Sequence, residues 1–67
     1  MTKQEAQKFL SQIAERLNEK QTTLKDICRD YGAFISKDEK GATFGSCEGG
    51  YICLIEQFFG IWHGVLV

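Results

Sequence analysis

The sequence predicts an α+β fold, a helical pair followed by a small antiparallel sheet, and three observations carry that prediction. An apolar stripe at helical spacing runs from Thr2 to Gln21. A second, shorter capped segment ends on Gly32. After Gly32 the chain breaks into short strand-like runs separated by glycine-bearing turns.

In the first segment Ala6, Phe9, Leu10, Ile13 and Leu17 recur on one side of a helix. Gln4, Lys8, Gln12, Glu15 and Glu19 fall mainly on the other. Thr2 with Glu5 three residues on makes a capping box, and Arg16, Lys20 and Lys25 put positive charge at or beyond the helix end, where its dipole favours it. A second helix is predicted over 23–31. Thr23 is its N-cap, Leu24, Ile27, Cys28 and Tyr31 form its apolar face, and Gly32 stands at the C′ position that ends it. Asn18 to Thr22 joins the two as an αα-hairpin.

The remainder, 33–67, is predicted to form three to four antiparallel strands. Ala33–Ser36 and Ala42–Cys47 flank the polar segment Lys37–Gly41, a hairpin with Gly41 at a left-handed position. Glu48-Gly49-Gly50-Tyr51 reads as a two-residue hairpin turn that sets Cys47 opposite Ile52 and Ser46 opposite Cys53. Tyr51 to Phe59 fits a strand by residue type and a helix by spacing. The strand is preferred because the Gly-Gly turn feeds it. Ile61 to Val67 is a final strand, with Gly60 marking the bend before it.

A chain of 67 residues is expected to make one domain, 1–67. So small a domain buries only about 60% of its unfolded surface and generally needs a disulfide, a metal or a partner. Apolar residues make up 43% and charged residues 25%, which excludes a disordered class. The eight Lys and Arg all lie at or before Lys40, and nine Asp and Glu leave a net charge of −1. No basic patch of the kind a free-standing nucleic-acid binder carries is visible. The start, Met1-Thr-Lys-Gln-Glu-Ala, has no apolar signal region. The C-terminal block, broken by Gly60 and His63, is too interrupted to span a bilayer. Three cysteines, an odd number, fit reduced thiols. A cytoplasmic protein with no membrane association is expected.

Chemistry-bearing residues are sparse. Cys28, Cys47, Cys53 and His63 are zinc ligand types, but no Cys-x-x-Cys pair is present, and the predicted turn sends Cys47 and Cys53 to opposite faces. No metal or other cofactor is expected. His63 is the only histidine. A pairing with Cys47 or Cys53 would still lack a third group to orient the base, so no enzyme is expected. The glycines Gly45, Gly49 and Gly50 do not have phosphate-loop spacing. Glu48 and Glu56 have nothing to bring them together.

The fragment Thr22-Thr-Leu-Lys-Asp-Ile-Cys-Arg-Asp-Tyr-Gly32 resembles the first helix and turn glycine of a helix-turn-helix unit. That resemblance implies a minimal transcription regulator contacting nucleic acid through Lys25 and Arg29. The segment after it, Ala33 to Gly41, is short, partly acidic and without an Arg, Asn or Gln row to read base edges.

The block Tyr51 to Val67 is the strongest functional feature. It is aromatic-rich and carries no positive side chain. Both faces of its strands are apolar, yet two short helices can cover only one face of a sheet. The other needs a second cover, and a protein partner or a second copy in a homodimer is the simplest one. Tyr51, Phe58, Phe59, Trp62 and His63 are the expected contact residues. The chain then reads as a non-enzymatic interaction module. It is similar in type to small phage- or plasmid-encoded inhibitors that act by occupying a protein surface.

Overall fold

The computed structural model describes residues 1–67 and has the predicted α+β order: α1 (Lys3–Asn18), α2 (Leu24–Tyr31), β1 (Phe34–Ile35), β2 (Gly41–Ser46), β3 (Ile52–Phe58) and β4 (Ile61–Leu66). The four strands form one antiparallel meander in the order β1-β2-β3-β4. The Tyr51–Phe59 segment is therefore strand, not helix. Its apparent helical stripe arises because both faces of β3 carry large side chains.

Both ends of α1 are closed by the chain itself. The Thr2 hydroxyl accepts from the Glu5 N–H, and the Glu5 carboxylate accepts from the Thr2 N–H. Those bonds hold the Glu5 carboxyl below its usual range. At the other end Gln21 N–H donates to the Arg16 carbonyl and Lys20 N–H to the Leu17 carbonyl, with Lys20 at φ 58°. This is a Schellman closure. It stops α1 at Asn18, three residues before the expected Gln21. Thr23 caps α2 through the Asp26 N–H, and Gly32 ends it at φ 67°. Thr23→Ala should cost about 1 kcal/mol of stability, read as a lower urea midpoint with an unchanged slope.

Both helices lie on the same face of the sheet, α1 over β4 and β3 and α2 over β2 and β1. They meet through aromatic edges. The Phe9 and Tyr31 ring centroids are 5.2 Å apart, and Phe44 of β2 joins them at 5.6 Å from Phe9. Beneath the helices, the row Ile35–Ala42–Ile55–Gly64 crosses all four strands. Ile55, Ile27 and Ala6 are fully buried in the resulting core.

Two turns differ from expectation. In the β1–β2 turn the left-handed residue is Glu39 at φ 58°, not Gly41. Asp38 supports that turn by accepting from the Ser36 hydroxyl and the Lys40 N–H. Gly41 is needed for a different reason: a Cβ there would stand 2.9 Å from the Ile55 carbonyl oxygen. The β2–β3 turn is one residue longer than a Gly-Gly hairpin. Cys47 N–H donates to the Tyr51 carbonyl, leaving Glu48-Gly49-Gly50 as a three-residue loop. Ser46 therefore sits opposite Ile52, and Gly45 opposite Cys53. A bulge between Thr43 and Gly45 rephases β2 at the same time.

Candidate docking surface

Side chains alternate across a sheet, so the rows next to the core rows face away from the helices. One such row, Phe34–Thr43–Leu54–Val65, spans all four strands. Beside it lie the pairs Ile52–Val67, Glu56–His63 and Phe58–Ile61, the first held by mutual backbone hydrogen bonds. No element of the chain covers this face. Phe34 is 79% exposed, Phe58 50% and Val67 67%. Next to Phe58 the face dips into a shallow groove of about 270 Å³ lined by Thr43, Leu54 and Glu56, with Asp38 and Lys40 at its rim.

The expected contact residues divide between three places. Phe58 and His63 stand together on the open face, their ring centroids 5.9 Å apart. Phe59 is at the β3–β4 turn, wholly exposed, with φ 52° followed by Gly60 at φ 79°. Positive φ at both central residues is the mark of a type I′ turn. Tyr51 and Trp62 are elsewhere. Tyr51 faces the helix side, where Lys3 Nζ lies 4.6 Å from its ring centroid. Trp62 pairs with Gln57 in a helix-side row. Its N–H donates to Asn18 Oδ1 at 2.7 Å, and its carbonyl accepts from Asn18 Nδ2 at 3.0 Å. Phe34, Ile52, Leu54, Ile61, Val65 and Val67 join Phe58 and His63 instead. Their alternation was visible in sequence, but which parity faced the helices was not.

The cations proposed for nucleic-acid contact are engaged with acidic neighbours. Lys25 pairs with Glu39 at 3.6 Å, and Arg29 with Asp26 and Asp30 at 3.4 Å each. The position a recognition helix would take holds β1.

No group of three His, Cys, Asp or Glu side chains is placed to hold a metal ion. The longer turn sets Cys47 opposite Tyr51 and so puts Cys47 and Cys53 on the same, helix-facing side, correcting the opposite-face expectation. They are 8% and 5% exposed. Burial pushes the Cys53 thiol up, a hydrogen bond with Cys47 adds to the shift, and burial also raises Cys28. Cys53 and Cys28 are held as neutral thiols rather than reactive thiolates. The folded state favours their neutral form, so that stabilisation is complete below the ordinary thiol range, about pH 8.5. It is lost as pH rises through the raised folded values. The melting temperature should fall on that alkaline side, and iodoacetamide at pH 8 should label Cys53 more than about tenfold slower than in the urea-unfolded chain, read by mass spectrometry.

No helix is long and apolar enough to cross a membrane. No family model, curated protein or solved structure matches this chain.

Proposed function

We propose that the protein is a small non-enzymatic interaction module that docks on a partner protein through the open face of its sheet, acting as an inhibitor or adaptor by occupying the partner's surface. The observation that carries this reading is the uncovered apolar face around Leu54, Phe58 and Val65. A partner is favoured over a second copy by area. Three strands of about six residues and the two-residue β1, about 4.8 Å apart and about 3.3 Å per residue, make a face of roughly 300 Å². Two such faces would bury roughly 600 Å², short of the about 1,200 Å² of a stable interface. A partner that also receives the projecting Phe59 reaches further. An odd cysteine count supports action in the cytoplasm.

Phe59 strengthens the case, because a bulky aromatic at a left-handed position strains the turn. Phe59→Asn should raise stability by about 1 kcal/mol while weakening partner binding. Phe58→Asp should keep the helical circular dichroism and weaken binding by about 2 kcal/mol or more, roughly thirtyfold. The measurement is affinity for a protein captured from the native host, compared between wild type and both variants, with mass followed across concentration. Equal affinity for all three would sink the reading. Association of the pure protein with itself, lost in Phe58→Asp, would transfer the face to a homodimer.

A further inference from the structure

The outer edge of β4 is a separate feature. Ile52 and Val67 exchange both backbone hydrogen bonds, so the hydrogen-bonded pairs of β3 and β4 fall at 52–67, 54–65, 56–63 and 58–61. The N–H and C=O groups of Trp62, Gly64 and Leu66 consequently point outward. Those of Trp62 are taken by the Asn18 carboxamide, which copies the bonding of a neighbouring strand. Gly64 and Leu66 have no partner strand. The edge carries no Lys, Pro or bulge, the usual protections. The opposite edge of the sheet, β1, is only two residues long.

A groove of about 410 Å³ runs beside this edge under α1, lined by Ser11, Ala14, Glu15, Asn18 and Glu19. Its acidic side chains are Glu15 and Glu19, and Glu15 is in no ion pair. We propose that the β4 edge accepts an extended segment of another protein as a fifth, antiparallel strand, paired at Gly64 and Leu66, with basic side chains turned toward Glu15 and the Asn18 clamp marking the end of the paired stretch.

The occupant is a lone strand for a steric reason. Leu10 of α1 lies directly against Gly64 of β4. Because α1 lies mainly over β4, the edge strand itself, a second copy paired edge to edge would crowd its own helix against α1 closer than the about 8–10 Å that packed helices need. A peptide brings no helix. In an antiparallel pair, residues opposite Gly64 and Leu66 share their face, so alternate side chains point to the acidic groove and the others continue the apolar open face. This inference does not rest on the open face being a docking site, since the edge groups and the groove stand apart from it.

The probe is a blocked Lys-Val-Lys-Val-Lys-Val peptide, followed by amide exchange and chemical shifts of the intact protein. Binding should protect the Gly64 and Leu66 amides. N-methylation of the lysine amides, which face β4, should weaken binding by about tenfold or more, and methylation of the valine amides should not. Glu15→Lys lies on the exposed side of α1 and should weaken binding about two- to fivefold, the effect of one exposed ion pair. No binding, shifts confined to Leu54, Phe58 and Val65, or indifference to the methylation pattern would each overturn the proposal. So would concentration-dependent protection of Gly64 and Leu66 in the protein alone, which would make a second copy the occupant. None of these outcomes depends on Phe58→Asp, so the edge and the open face fail or stand separately.

Discussion

Gly64→Val should cost about 3 kcal/mol or more, a large share of the stability of the chain. A Cβ at position 64 would stand 2.5 Å from the Leu10 Cβ, 3.1 Å from its carbonyl carbon and 3.3 Å from its carbonyl oxygen. The obstacle is the backbone of α1, not the end of a flexible side chain. Trimming Leu10 to Ala would not relieve it, because the Cβ and the carbonyl remain. Relief requires α1 to lift from β4, which strips contacts from Leu10, Ile13 and Leu17, all nearly fully buried. Overpacking in a tight core costs about 1–3 kcal/mol and occasionally more. With a helix backbone as the obstacle, the upper end applies. A domain of this length holds only about 3–10 kcal/mol in all. A urea midpoint and a melting temperature well below those of the wild type, followed by helical circular dichroism, check this directly. A variant that melts like the wild type would mean α1 does not rest on β4.

Ile55→Ala and Leu54→Ala, one residue apart, should have opposite weights. Ile55 is fully buried at the centre of the helix-facing row and among the largest such side chains. Its truncation leaves a cavity between sheet and helices and should cost about 2–5 kcal/mol. Leu54 faces away from the helices, and its truncation should cost about 1 kcal/mol or less. Urea unfolding of the two variants reads both values. Equal costs would mean that something covers the second face. A large cost at Leu54 that appears only with a partner present would connect stability to docking.

Much of this fold was legible from local chemistry. Thr2 with Glu5, Thr23 and Gly32 announce helix ends because each supplies a bond or a backbone conformation that helix termini require. What was not legible depended on distant groups. Gly49-Gly50 permits a tight turn, but the Glu48 N–H is held by the Met1 carbonyl, a contact no local pattern records. The loop there is three residues, so Ser46 and Gly45 change partner by one, and beyond the bulge Thr43 and Ala42 change by two. Gly41 looks like a turn residue and Gly64 stands unmarked inside a strand, yet both are glycine because another backbone passes close by. Trp62 looks like an interface anchor, and its side of the sheet is set by pairing with Gln57 and by the Asn18 clamp. Periodicity shows that two apolar faces exist. Only the register decides that Phe58 shares the open one and Trp62 the other.

The bond between Asn18 and Trp62 joins residues 44 apart in sequence. It sits where α1, the first element of the chain, rests on β4, the last. The first helix thus lacks most of its floor until the last strand is in place. Neither half has a core of its own to fold around, and the loop closure that unites them must be met before burial repays it. The chain should therefore fold in one cooperative step, with no stable N-terminal intermediate. During synthesis, the burial of Leu10, Ile13 and Leu17 is incomplete until β4 has left the ribosome.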